Sequence, residues 1–162
     1  MVRIGIIGVG GITNGRHIPE IQKATGGCIS AICDVNEKAL KTVGDKLGIP
    51  EHLRFTDYRD LIASNEVDAV EICTPNHLHV PKAVDVVKAG KPVNVEKPLS
   101  VNLEKAEPLK KALSENPVPN MMCFTYRFMP AVRYAKEIMK KGLLGDIISV
   151  NVEYLKSSAF IE

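Results

Sequence analysis

The sequence predicts an α/β fold: a Rossmann-type doubly wound parallel sheet, with only the beginning of a second α/β domain behind it. Three observations carry this reading. Short apolar runs, several of them rich in Val and Ile, alternate with amphipathic segments over most of the chain. A Gly-x-Gly turn follows the first run directly, and an acid closes the second. The expected boundaries are 1–124 for the sheet domain and 125–162 for a crossover helix and the first strand of the next domain.

The strand-length runs are "VRIGIIG" (2–8), "CISAIC" (28–33), "HLRF" (52–55), "VDAVEIC" (67–73), "KPVNVE" (91–96) and "VPNMMCF" (118–124). Between them lie helical patterns. In 79–90, Val80, Ala83, Val84 and Val87 recur at i, i+3, i+4, i+7, and Gly90 supplies a stop. "NEKALKTVGDKLG" ends at Gly48, and Asp57 is placed to cap "YRDLIAS". Two positions strain the pattern. Glu71 lies mid-strand and Asn94 near a strand end, and each needs a partner if buried. Pro108 falls inside the helical stretch 103–115 and is expected to kink it or shift its start.

Composition narrows the function classes. With 45% apolar and 25% charged residues, the 162-residue chain can bury a core. A net charge of +2 with scattered basic residues argues against a nucleic-acid partner. No apolar run approaches the ~20 residues of a membrane span, and the N-terminus has no secretory signal pattern. Cys28, Cys33, Cys73 and Cys123 lack CxxC spacing and read as reduced thiols. A cytoplasmic protein is expected.

"IGIIGVGGIT" carries the phosphate-binding signal. Gly8 permits a tight turn after the first strand, and Gly10 lets backbone approach a pyrophosphate. Gly11 and Ile12 continue the loop towards a helix N-terminus whose free N–H groups favour an anion. Thr13 stands where the third glycine of G-x-G-x-x-G would fall, and should crowd helix against strand slightly. Asp34 closes the second strand, 21 positions after Thr13, where a carboxylate accepts hydrogen bonds from the adenosine ribose. The bland alternative is a glycine turn plus a helix-capping Asp. An acid here repels a 2′-phosphate, so NAD is favoured, and Lys38 keeps NADP possible.

The loop after the fourth strand, Thr74, Pro75 and Asn76, lies where such sheets bind ligands. His77 and His79 make no convincing metal site, and no metal is expected. His79 either meets the cofactor or packs on its own loop. Lys97 leaves the fifth strand on the crevice side. An amine partly desolvated there, near a cationic nicotinamide, is expected to have a lowered pKa and to serve as general base. Glu96 is placed to orient it, and Pro98 restricts the loop. A surface salt bridge is the plain alternative.

Taken in order, "GVGGIT", His17-x-Pro19, "CDVN", "DYRDLI", "VDAVEICTPNHLH", "AVDVVKAGKPVNVEKPL" and "FTYRFMPAVRYAKEIMKKGLLGDI" resemble the Gfo/Idh/MocA oxidoreductases. The resemblance runs from residue 2 to about 154. It implies NAD(P)-dependent oxidation or reduction of a sugar, polyol or related hydroxy compound. It assigns Lys97 to proton transfer or substrate positioning. It places Gly8, Gly10, Gly11, Asp34, Thr74, Pro75, Asn76 and His79 at the cofactor, and Arg127 near nicotinamide or substrate. It also implies a C-terminal α/β domain that supplies a catalytic histidine, whereas no histidine here lies beyond His79. The chain is therefore expected to be an N-terminal portion with little turnover alone; "SSAFIE" shows no pattern of its own. The apolar alternation in 147–155, with Ile148, Val150, Val152 and Tyr154 on one face, is expected to form a strand through which copies associate. The alternative to an enzyme is a non-catalytic NAD-binding module that self-associates.

Overall fold

A computed structural model describes residues 1–155. The chain divides into two units, Met1–Cys123 and Phe124–Glu162. The first contains a six-stranded sheet: β1 (Val2–Ile7), β2 (Gly27–Cys33), β3 (Arg54–Phe55), β4 (Ala69–Ile72), β5 (Val93–Val95) and β6 (Asn120–Met122). Every pairing is parallel, in the order β3-β2-β1-β4-β5-β6. The chain reverses direction across the sheet between β1 and β4, which opens a crevice at their C-terminal ends.

The helices follow the sequence signals. They are α1 (Ile18–Lys23), α2 (Glu37–Leu47), α3 (Tyr58–Ala63), α4 (His79–Lys88) and α5 (Leu103–Glu115). Asn36 caps α2 through the Lys38 and Ala39 N–H groups, and Gly48 ends it at φ +67°, a left-handed conformation that glycine adopts freely. Asp57 accepts from the Arg59 N–H at 2.8 Å and caps α3 as expected. Pro108 does not shift the start of α5: Asn102 caps the helix, which runs from Leu103 to Glu115 with Pro108 inside it. Pro108 and Glu104 are exposed, so the carbonyl that loses its helical partner at Glu104 can turn to water.

Alternation along the strands makes two cores. Ile7, Val70, Ile72, Val93 and Val95 pack with Leu61, Ala83, Val87 and Leu109 on one face. Ile6 and Ile32 pack with Ile18, Leu40 and Val43 on the other. These cores hold the strand ends, and hence the loops above them, in fixed register.

The second unit begins with a turn at Thr125–Phe128 and α6 (Pro130–Lys140). Residues 147–155 form no strand, contrary to the sequence expectation, and no ladder partner for them exists among the described residues. Alternating apolar residues favour an extended chain, but a strand needs a partner to take its backbone hydrogen bonds. Ile148, Val150, Val152 and Tyr154 are exposed, Ile148 almost fully at 97%. "SSAFIE" lies outside the described residues.

Candidate cofactor-binding and active site

The crevice beside β1 is a cleft of about 630 Å³. Its walls include Gly8, Gly10, Asp34, Thr74 and Pro75, brought together from three strand ends. Gly8 has φ +96°, and a Cβ there would sit 2.6 Å from the Cys73 carbonyl oxygen. Only glycine lets the two strand ends approach so closely. By contrast, a Cβ at Gly10 or Gly11 would meet nothing within 4 Å. Ile12 is exposed beside them.

Thr13 corrects the expectation of mild crowding. It is fully buried, and its hydroxyl donates to the Gly8 carbonyl at 2.6 Å. The side chain braces the glycine turn rather than pushing it away. Asn14 adds bonds from its side-chain amide to the Val9 and Gly10 carbonyls.

Asp34 is tied to the loop as well. One carboxylate oxygen accepts the Val9 N–H at 2.8 Å and the other the Asn36 N–H at 2.9 Å. Each oxygen keeps a second lone pair for a ligand hydroxyl. Lys38 is exposed on α2 and does not line the cleft. The basic residues that do are Lys82 and Arg59, stacked against the Tyr58 ring at 3.5 and 4.7 Å from its centroid. Burial lowers the Lys82 pKa from its usual 10.5. Sequence reasoning missed this stack because its members come from different helices.

On the β4 side, the Thr74 hydroxyl is buried and has no hydrogen-bond partner among the described residues. Asn76 turns instead to a neighbouring cleft, which it lines with His77. His79 is 1% exposed; one ring nitrogen lies 2.7 Å from the Thr74 carbonyl and the other 2.8 Å from that of Pro98. It holds the two loops together and presents no surface to a cofactor. The packing alternative read from the sequence describes it better than direct contact.

Lys97 and Pro98 are exposed, joined by a cis peptide bond. Glu96 is buried and accepts the Lys97 backbone N–H at 2.7 Å. Its other oxygen lies 3.0 Å from His17 Nε2, and His17 Nδ1 bonds Glu71. Glu71 and Asn94, the two polar residues that strained the strand reading, are neighbours in register. The Asn94 amide donates to Glu71 Oε1 at 3.1 Å and to Cys123 Sγ at 3.1 Å. Arg127 lies in the second unit. All four cysteines are free thiols.

Residues 2–124 match the profile of GFO_IDH_MocA, described as an oxidoreductase family with an NAD-binding Rossmann fold. The chain belongs to this family. Its relatives include levoglucosan dehydrogenase of Pseudarthrobacter phenanthrenivorans, 36% identical over 62% of this chain and 26% of that protein. D-xylose 1-dehydrogenase [NADP(+)] of Haloarcula marismortui is 30% identical over 93% of this chain and 42% of that one. The WlbA dehydrogenase of Bordetella pertussis, solved with NADH and UDP-GlcNAcA, superposes with a TM-score of 0.80 at 29% identity. That superposition covers 89% of this chain and 43% of the WlbA chain, so the chain spans less than half of each of these proteins.

The cleft fits the dinucleotide that the family binds. The space in front of Gly10 and Gly11 admits a pyrophosphate, Asp34 has free lone pairs, and the buried Thr74 hydroxyl lacks a partner. No helix among the described residues is long and apolar enough to cross a membrane.

Proposed function

We propose that this chain is the nucleotide-binding part of an NAD(P)-dependent dehydrogenase acting on a sugar, polyol or related hydroxy compound. The observation that carries this reading is the meeting of Gly8, Asp34 and Thr74 around one cleft at the end of β4, to which the end of β5 before Lys97 is bonded through the Glu96 N–H and the Ile72 carbonyl. Asp34 would hold the adenosine ribose, the Gly10 turn the pyrophosphate, and the Thr74 and Lys97 side the nicotinamide. Bound there, NAD(P) would supply the hydride acceptor, or in reverse the donor, for a substrate carbinol carbon. Lys97 takes the hydroxyl proton at the substrate oxygen, or returns it in reduction. Glu96 and Pro98 set its backbone, and Arg127 is assigned to the substrate side. Asp34 favours NAD over NADP.

The named relatives act on sugars, which supports the substrate class, and four free thiols suit a reducing, cytoplasmic setting. Because the chain spans less than half of these proteins, little turnover is expected from it alone. In the NAD complex, NMR should show cross-relaxation between the Lys97 side chain and the nicotinamide C4 proton. Lys97→Ala should leave NAD affinity within about threefold and remove any NADH formed with polyols. Contacts from Lys97 to the adenine end instead would sink the assignment.

Self-association is a second expected property. Ile147, Ile148, Val150 and Val152 are all exposed and close in sequence, more than scattered surface apolars present. Light scattering should show a concentration-dependent dimer or larger species, lost when Ile148 and Val150 become Lys. A monomer at high concentration would refute it.

A further inference from the structure

The Glu71–His17–Glu96 cluster is not accounted for by cofactor binding. His17 ends the widened turn Thr13–His17 that follows the glycine loop. Its two ring nitrogens face two carboxylates, Glu71 of β4 and Glu96 after β5. All three side chains are nearly buried, at 11%, 8% and 12% exposure. With both glutamates ionised, each accepts and neither donates, so both ring nitrogens carry a proton in this geometry. A neutral ring would leave one buried carboxylate facing a lone pair, which costs more than either hydrogen bond returns. The Asn94 amide also donates to Glu71 Oε1, the oxygen that His17 Nδ1 meets, and to Cys123 Sγ.

The geometry points to His17 as a positioning residue for Lys97: a doubly hydrogen-bonded imidazolium that fixes Glu96, whose other oxygen holds the Lys97 backbone N–H. The clamp joins the helix behind the glycine loop to the loop that bears the amine, so one residue sets the distance between the cofactor cradle and Lys97. It rests on the proposed role of Lys97.

The titratable groups facing His17 are Glu71 and Cys73 from β4 and its end, Glu96 after β5 and Cys123 after β6. The Cys73 sulfur and the Glu71 carboxylate raise the His17 pKa from 6.5 to about 11, against the opposing effect of burial. A pKa raised on folding stabilises the fold fully below the unfolded value of 6.5, and that contribution is lost as pH rises through about 11. The clamp is therefore closed throughout the neutral range.

Nitrogen-15 NMR of the labelled chain tests this. At pH 8.5 both His17 ring nitrogens should be protonated, and the Lys97 amide should be protected from hydrogen exchange. His17→Gln and Glu96→Gln should each speed Lys97 amide exchange by tenfold or more, leaving the Ile6 and Ile72 amides unchanged. Glu96→Gln keeps the ring's carboxylate partner at Glu71, so it remains informative if His17→Gln does not fold. A neutral ring at pH 8.5, or exchange that rises equally across β1 and β4, overturns the clamp. So does stoichiometric binding of zinc ion that displaces the ring protons and is lost in Cys123→Ser, since His17, Glu71 and Cys123 donors lie within 4.8 Å of one another. Lys97→Ala should leave the His17 ring signals in place. Absence of the Lys97–nicotinamide contact with these signals intact would therefore remove the catalytic reading alone.

Discussion

Gly8→Ala is expected to abolish NAD binding and to destabilise the first unit by about 2–5 kcal/mol. Two costs coincide at this position. The backbone stands at φ +96°, where a Cβ is strained whatever the surrounding space. The new methyl would also lie 2.6 Å from the Cys73 carbonyl oxygen and 2.8 Å from its carbon. Shifting the Cys73 carbonyl moves the backbone around it, where the Cys73 N–H bonds the Ile7 carbonyl at 2.8 Å and the Thr74 N lies 3.1 Å from the new methyl. Relief must come from parting β1 and β4, which widens the crevice and moves the loop that cradles the pyrophosphate. Urea unfolding measures the first effect and calorimetric titration with NAD the second. Gly10→Ala is the control: its Cβ meets nothing within 4 Å, so it should fold normally yet bind NAD more weakly, the methyl taking space meant for phosphate. A Gly8→Ala chain that folds and binds as well as the parent would contradict the packing described here.

Asp34→Ala is expected to weaken NAD by about 10–100-fold, from the loss of a charge-assisted hydrogen-bond pair worth about 1.5–3 kcal/mol. Part of the loss passes through the protein. Asp34 holds the Val9 N–H, and Val9 lies between the two loop glycines. Without that tie the glycine loop is less ordered before the cofactor arrives. Removing the acid also removes its repulsion of a 2′-phosphate, while Lys82 and Arg59 remain on the cleft wall. The affinity for NADP should therefore fall less than that for NAD. Parallel titrations with the two cofactors measure the ratio, and equal losses would show that Asp34 acts only on the loop.

Most of the sheet was legible because apolar runs of strand length are set by burial on both faces, and parallel strands have both faces covered. Gly8 was legible as a tight turn at a strand end, whereas the bond from the Val9 N–H to Asp34, read only for the ribose, was not. Thr13 was not. A hydroxyl standing in for a glycine reads as crowding until its bond to the Gly8 carbonyl is seen. Glu71 and Asn94 announced a buried partner, but sequence could not say that they lie side by side, because parallel register depends on the whole crossover between them. His17 carries no local sign of its role: Glu71 calls for a partner, but nothing in the sequence names His17, 54 positions earlier, as the one that meets it. The strand expected at 147–155 failed for a different reason. Alternation states which faces a strand would have, not whether another strand stands beside it.

The central claim is that the crevice between β1 and β4 holds one NAD with its nicotinamide directed to Lys97. Titrating the labelled chain with NAD and following backbone amide signals tests it most directly. The expected result is saturation at one NAD per chain, with the largest shifts at Gly10, Gly11, Asp34, Thr74 and Lys97, and no saturation for Gly8→Ala. Shifts confined to the neighbouring cleft at Asn76, His77 and Lys105, or no saturable binding at all, would contradict it.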